Sequence, residues 1–292
     1  MKIKKILLLY CMLLPISLFA SELKNDLISV VITIYNKEHQ IADVIQGILD
    51  NATLPYELIL VYDACKDQSE QKVRETLKNA GNIPLLKGIK VFYTPDLNET
   101  RANNVGMKAA QGKYWILVQD DMQIEEKGWD KKLIEPMKRF NDVFAVCAKW
   151  AGSYPKMKDV IAFIQQSAYK NVFFASSNKH TFGVRDAINR GPLALDGYSM
   201  QQLNYLDEEY APLYLDDHDL CIRAYQKLRK VCGAYFVKVK SLKPTVPRPQ
   251  ENKPLSNGQY FPDVVKKNRR IFWERYKDYF NRNRHDEERR MD

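Results

Sequence analysis

The tightest constraint on the fold is an alternation of two hydrophobic rhythms between residues 27 and 118. Residues 27–34 (LISVVITI) form a continuous, largely β-branched run, as expected of a strand buried on both faces. Ile41, Val44, Ile45, Ile48 and Leu49 then recur at helical spacing, and Asn51 marks the end of that helix. Residues 57–62 (ELILVY) read as a second buried strand and 68–80 as a polar-faced helix. A third strand is expected over 89–93, a helix over 100–110 closing at Gly112, and a fourth strand over 114–118 (YWILV). Four such alternations predict an α/β fold, doubly wound around a mostly parallel central sheet with helices on both faces.

The second half is less regular. Residues 150–190 mix aromatic and polar stretches and give no assignable pattern. A helix is expected over 220–230 and a strand over 234–239. Pro244, Pro247, Pro249 and Pro254 mark an extended connection. A final amphipathic helix over 264–280 would carry Ile271, Phe272, Tyr276 and Tyr279 on its apolar side. The domain organisation expected is an N-terminal segment over 1–20, one α/β domain over 21–262, and a basic C-terminal helix and tail over 263–292.

The N-terminal segment places Lys2, Lys4 and Lys5 ahead of an apolar run over 6–20, with a small-residue step at Ala20-Ser21. That is the arrangement of a signal peptide, or of a short uncleaved anchor, since the run falls below the ~20 residues that span a bilayer. The chain is thus expected to be membrane-associated or exported, with its side of the membrane left open. A net charge of +9 raises the question of nucleic acid. The C-terminal basic residues are interrupted by Glu274, Asp278, Asp286, Glu287 and Glu288, and no nucleic-acid-binding motif is evident. No nucleic-acid partner is expected. Five cysteines contain no CxxC pair, which leaves zinc and redox motifs unsupported.

Ligands of such sheets sit beyond the carboxyl ends of the strands. Thr33 and Asn36 follow the first strand, Asp63 the second, and Asp120 and Asp121 the fourth, while Arg101 opens the helix before it. Three carboxylate positions and an arginine at one sheet edge suit a nucleotide diphosphate. A carboxylate accepts from base or ribose, oxygen ligands hold a divalent cation, and a guanidinium pairs with phosphate. Asp63 reads equally as a ligand contact or as a turn or helix-capping residue, Asp67 as a turn or helix-capping residue, and Trp115, Trp129 and Trp150 as packing residues.

The order of these segments resembles glycosyltransferase family 2. ISVVITIYNKE is similar to its opening strand, and ELILVYDACKDQS to its E-I-I-V-V-D-D-G-S segment, with Tyr62 and Ala64 as departures. NETRANNVGMKAAQGKYWILVQDDM matches the R-x-x-N-x-G stretch leading into the aspartate motif. NRGPLALDGYSMQQLNYLDEEYAPLYLDDHDLCIRAYQK resembles the acceptor-side block, which ends in an E-D-x-D-L-x-x-R helix start. The resemblance implies a GT-A fold and an inverting transfer of sugar from a nucleotide-sugar donor to a glycan or lipid-linked acceptor. It implies donor contacts at Thr33, Asn36, Asp63, Arg101 and Asp121, and Mn2+ or Mg2+ at Asp120. It further implies Asp217 as general base with Asp216 in the glutamate position. The first aspartate of D-x-D falls on Val118, and no late histidine offers a third metal ligand. Asp219 reads as structural, at a helix N-terminus favoured by the macrodipole, and His218 as exposed. Gly191 and Pro192 are expected to shape a loop bordering the donor site.

Two other classes compete. A nucleotidylyltransferase or dehydrogenase would need a glycine-rich loop after the first strand, which TIYNKE lacks. An exported, non-catalytic sugar- or nucleotide-binding protein on a degenerate transferase fold remains the alternative.

Overall fold

A computed structural model describes residues 22–154, 173–174, 180–242, 254–279 and 287–291. The expected signal or anchor segment, Cys11, and Pro244, Pro247 and Pro249 lie outside the described residues. No described helix is long and apolar enough to cross a membrane.

The four predicted units are present: β1 (Lys24–Ile34), α1 (Ile41–Asn51), β2 (Tyr56–Asp63), α2 (Ser69–Asn79), β3 (Leu86–Thr94), α3 (Asn98–Lys108) and β4 (Gly112–Gln119). After them come β5 (Met122–Ile124), α4 (Trp129–Arg139), β6 (Val143–Cys147), β7 (Ala151–Ser153) and β8 (Phe173–Phe174). Then follow β9 (Thr181–Arg185), β10 (Ala187–Ile188), β11 (Leu193–Asp196) and the short helix α5 (Gly197–Gln202). The chain continues with α6 (Asp216–Leu228), β12 (Val231–Ala234), β13 (Val239–Ser241), α7 (Phe261–Tyr276) and β14 (Glu287–Arg290). The strand expected over 234–239 is thus two short strands flanking that stretch. The helix expected from residue 220 starts four residues earlier, because Asp216, Asp217 and Asp219 form its first turn, where the helix dipole favours negative charge.

The central sheet has the order β14-β9-β12-β6-β11-β4-β1-β2-β3. Only β9 and β11 run against the other strands, so the sheet is mixed and mostly parallel. The period-two geometry of β1 divides the core. Ile28, Val30, Ile32 and Ile34 pack with α1 and α4 on one face. Val31 points to the other face, where Met107 of α3, Met200 of α5 and Leu220 of α6 lie.

Two contacts fix where the functional end of the sheet sits. Gly106 lets α3 approach β1 closely, since a Cβ added there would lie 2.3 Å from Val31 Cγ1. At the start of α6, Asn268 of α7 donates through Nδ2 to the carbonyls of Tyr210, Leu213 and Tyr214, at 2.7, 2.9 and 2.9 Å. That amide holds the turn entering α6. Phe272, Trp273 and Tyr276 anchor α7 in an apolar cluster with Leu215 and Ile222.

Replacing Gly106 by Ala raises helix propensity by ~1 kcal/mol but overpacks the α3–β1 contact. Gly106→Ala is expected to lower stability by about 1–3 kcal/mol in urea unfolding. Gly88→Ala, with open space around its added Cβ, should stay within ~0.5 kcal/mol of the parent. Equal effects would refute the close-approach role. Removing the amide in Asn268→Ala orphans three backbone acceptors and should cost about 1–3 kcal/mol in the same measurement.

Candidate functional site

The ends of β1, β2 and β4 bring Thr33, Asn36, Asp63, Asp120 and Asp121 to one edge of the sheet, as their register requires. Thr33 Oγ1 donates to Asn103 Oδ1 of α3 at 3.1 Å. Asn36 adopts a left-handed conformation (φ 50°), and its Oδ1 accepts from the Lys66 amide at 2.8 Å, joining the β1 and β2 loops. Asp63 is buried and fully engaged: it accepts from Thr94 Oγ1 and from the amides of Leu97 and Asn98, each at 2.7 Å. Its carboxylate therefore shapes the loop between β3 and α3. Arg101 is exposed on α3 and pairs with Glu208 at 3.4 Å. Asp67, read as a turn residue, caps the start of α2 through the Ser69 amide and also accepts from the Glu38 amide.

Asp120 accepts from the Tyr35 amide at 3.0 Å and pairs with Lys37 Nζ at 3.2 Å. Burial pushes its carboxyl up to about 6, against the opposing pull of Lys37. The Asp121 side chain has no hydrogen-bond or ion-pair partner among the described residues, while its carbonyl accepts from the Leu242 amide at 2.8 Å. No group of three or more His, Cys, Asp or Glu able to hold a metal occurs among the described residues. The pair fits a cation of the Mg2+ type, which is held by one or two carboxylates and completes its shell with water and substrate phosphate. Asp121 is open to it, and Asp120 joins only if Lys37 withdraws.

The second part of the site is a cavity of about 280 Å3 at the N-terminus of α6, lined by Asp216, Asp217, His218, Glu99, Gln119 and Arg190. Trp150, Asn189, Tyr214, Leu215 and Phe261 complete much of its wall. Gly191 borders it with φ +119°, and a Cβ there would lie 2.7 Å from Gln119 Oε1. Only glycine tolerates both conditions.

Asp216 and Asp217 are treated differently by their surroundings. Asp216 is buried, ion-paired with Arg190 and hydrogen-bonded by Thr100 Oγ1 at 2.6 Å. Arg190 is itself buried and lies 2.7 Å from Glu99. Asp217 is half-buried in the cavity wall. Burial pushes its carboxyl up to about 7; Arg190 opposes that shift, and the charges of Asp216 and Glu99 add to it. Asp219 accepts from Tyr276 Oη at 2.6 Å and from Arg223 and Arg275, tying α6 to α7, the structural part its sequence position suggested.

His218 is not exposed. Its Nε2 lies 3.0 Å from Asn189 Oδ1, and its Nδ1 meets the Tyr154 hydroxyl. Burial lowers its pKa to about 4, so the ring is neutral. An Nε2 proton donated to Asn189 leaves Nδ1 to accept from Tyr154. Trp115 and Trp129 are fully buried packing residues, whereas Trp150 faces the cavity. Glu99, Asn189 and Arg190 are site residues that the reading of the sequence missed. Arg190 stands immediately before Gly191 in NRGP, and that adjacency to a bordering glycine was the available hint.

The model of glycosyl transferase family 2 matches residues 29–191, more than half of the chain. An uncharacterized glycosyltransferase from Haemophilus influenzae is 29% identical over 108 residues, covering 37% of this chain and 41% of that protein. The chain is similar to GalNAc-T7 solved with UDP, GalNAc and Mn2+ (TM-score 0.61, 14% identity, 87% of this chain and 49% of that one). It is also similar to TarS from S. aureus (TM-score 0.51, 18% identity, 74% and 36%). A third likeness is a mannosyltransferase from Pyrobaculum calidifontis in complex with GDP-Man and Mn2+ (TM-score 0.50, 14% identity, 72% and 54%). Each match spans less than two thirds of the other protein's length. The structural likenesses show the GT-A arrangement of sheet and helices. From the strand-end motifs and the matched family model together, the chain belongs to glycosyl transferase family 2.

Proposed function

We propose that this chain is an inverting, nucleotide-sugar-dependent glycosyltransferase in which Asp217 is the general base. The observation that carries this reading is the placement of Asp217. It is a carboxylate raised to about 7 in a cavity wall, beside a second carboxylate locked away by Arg190. A base poised near neutrality balances availability against driving force for proton transfer. In the proposed step an acceptor hydroxyl oxygen bonds to the anomeric carbon of the donor. The bond from that carbon to the diphosphate oxygen breaks, the diphosphate keeps the electron pair, and Asp217 takes the hydroxyl proton. Asp216 acts as a positioning residue through Arg190 and Thr100.

The donor assignments follow the strand ends. Thr33, Asn36 and Asp63 border the nucleoside, Asp63 by shaping the loop from Leu97 to Asn98. Arg101 is left to a peripheral contact. Mn2+ or Mg2+ is assigned to Asp120 and Asp121. A bound divalent cation would stabilise charge developing on the diphosphate. The GalNAc-T7 and Pyrobaculum structures hold Mn2+ with UDP or GDP-Man, which supports a divalent ion here. Membrane association through residues 1–20 is consistent with a glycan or lipid-linked acceptor and belongs to the same proposal.

Three outcomes test this. Titrating UDP- and GDP-sugars with and without Mn2+ should find one donor whose binding is metal-dependent. Asp120→Ala and Asp121→Ala should each weaken it at least ~10-fold, a loss of about 1.4 kcal/mol. A folded protein that binds no donor would favour the non-catalytic binding reading.

Asp217→Asn should keep donor binding and lose transfer by at least ~100-fold, the scale of general-base catalysis. Full activity in that variant removes Asp217 from the chemistry.

The pH dependence has two arms. The base works deprotonated, so kcat/KM should rise with pH through about 7. Because the folded pKa exceeds the unfolded value of 3.8, the folded state binds more protons between these values, and stability falls as pH rises through that window. Asp217→Asn should therefore stabilise the protein more at pH 8 than at pH 4 by thermal unfolding. A pH-independent difference would contradict the raised pKa.

A further inference from the structure

We propose that Lys37 is a built-in counter-ion of the strand-end carboxylates. Its ammonium holds Asp120 until a divalent cation arrives together with a diphosphate, so that the two bind jointly and the cation alone is resisted. The inference rests on the assignment of Mn2+ or Mg2+ and a nucleotide diphosphate to this edge, and adds the residue that couples them.

The carboxylate of Asp120 is shared between two kinds of partner. Its Oδ2 accepts from the Tyr35 amide at 3.0 Å, and its Oδ1 lies 3.2 Å from Lys37 Nζ. The amide belongs to the main chain and fixes the orientation of the carboxylate. The ammonium ends a flexible four-carbon stem and is free to leave. Among the described residues Asp120 is the one partner of that ammonium. Oδ1 is therefore the oxygen open to exchange, and Lys37 is what a cation displaces from it.

The main chain on both sides of this contact is tied down. The Lys37 amide donates to Ser69 Oγ at 2.6 Å and the Glu38 amide to Asp67 Oδ2 at 2.9 Å, joining the loop after β1 to the start of α2. The Lys37 carbonyl accepts from the Ile41 amide at 2.9 Å, at the start of α1. Across the contact, Gln40 Nε2 donates to the Asp120 carbonyl at 3.2 Å, and the Leu242 amide to that of Asp121 at 2.8 Å. Exchange at Oδ1 is thus confined to the lysine side chain. That side chain is 21% exposed and that of Asp120 16%, so water reaches the pair and opening it is inexpensive.

Charge decides what opens it. Asp120 and Asp121 with Lys37 carry one net negative charge. A divalent cation entering alone sets two cations against one carboxylate and turns the net charge positive. A diphosphate ester brings a negative charge on each phosphate, restores the starting balance, and gives the displaced ammonium an anion to meet. Cation and diphosphate therefore strengthen each other's binding, and the effect is reciprocal. Lys37 acts in this scheme as a positioning residue, through Asp120.

The test is Mn2+ binding by the full chain at one fixed pH, read by electron paramagnetic resonance of the free ion. It is run first with Mn2+ alone and then with UDP or GDP, whichever binds. The wild type should bind Mn2+ at least ~10-fold more tightly with the nucleotide than without. Lys37→Met and Lys37→Gln should each bind Mn2+ alone at least fivefold more tightly than the wild type, with the gain from nucleotide reduced by a similar factor. Lys37→Arg keeps the charge and should stay within twofold of the wild type. Lys66→Met removes an exposed ammonium from the neighbouring loop and should do the same. Damage to the fold lowers metal affinity, so a gain reports the lost competitor. Absence of that gain in both neutral variants, an equal gain in Lys66→Met, or a wild type indifferent to nucleotide overturns the proposal. Asp121→Ala binding Mn2+ as tightly as the wild type, or no Mn2+ binding under any condition, counts instead against the metal assignment and takes the proposal with it.

Discussion

The buried pair of Arg190 and Asp216 organises the cavity end of this molecule. A guanidinium taken out of water is strongly unfavourable unless carboxylates surround it. Here Asp216 and Glu99 do so from two different helices, α6 and α3. Thr100, next to Glu99, adds a hydrogen bond to Asp216. One cation thereby joins the start of α3, the chain entering β11 and the start of α6. It also explains why adjacent aspartates differ in chemistry. Asp216 takes the cation, and Asp217 is left in a buried, acidic setting that resists ionisation.

The same logic runs to the strand-end carboxylates. Asp63 spends its carboxylate on the amides of Leu97 and Asn98, immediately before Glu99. The end of β2 therefore sets the position of Glu99, and Glu99 helps set Arg190. Lys37 occupies Asp120, so the strand-end carboxylates form a satisfied polar edge with Asp121 left open. Asp63 and Asp120 are each satisfied by groups from another loop, which fixes those loops relative to one another.

How much of this was legible in the sequence depends on how local the determining interactions are. β1, β2 and β4 were legible because a strand covered on both faces needs an unbroken apolar run. β3 and α3 were found with shifted ends; Asp63 holds the junction between them, from Thr94 to Asn98. β7, β10, β11 and β12 were not, since runs such as AGS, AI, LALD and VCGA are too short to show a period. Their places in the sheets come from partners distant in sequence. Among site residues, Asp217 stood out through its motif. Arg190 did not, because its burial is set by Glu99 and Asp216, remote along the chain. His218 was misread for the same reason: Asn189 and Tyr154, which enclose it, lie 29 and 64 residues away.

Asn268 bears on how the protein comes into being during synthesis. The strands that would carry the donor edge, β1 to β4, are complete by residue 119, and they can pair as soon as they leave the ribosome. The turn entering α6 is held by an amide that is translated more than fifty residues after Asp216. A nascent chain thus acquires its β1–β4 edge early and an ordered start of α6 only near the end of translation. Incomplete chains would carry the strand-end edge without an ordered α6 entrance, and the last helix is the step that joins the two parts of the candidate site.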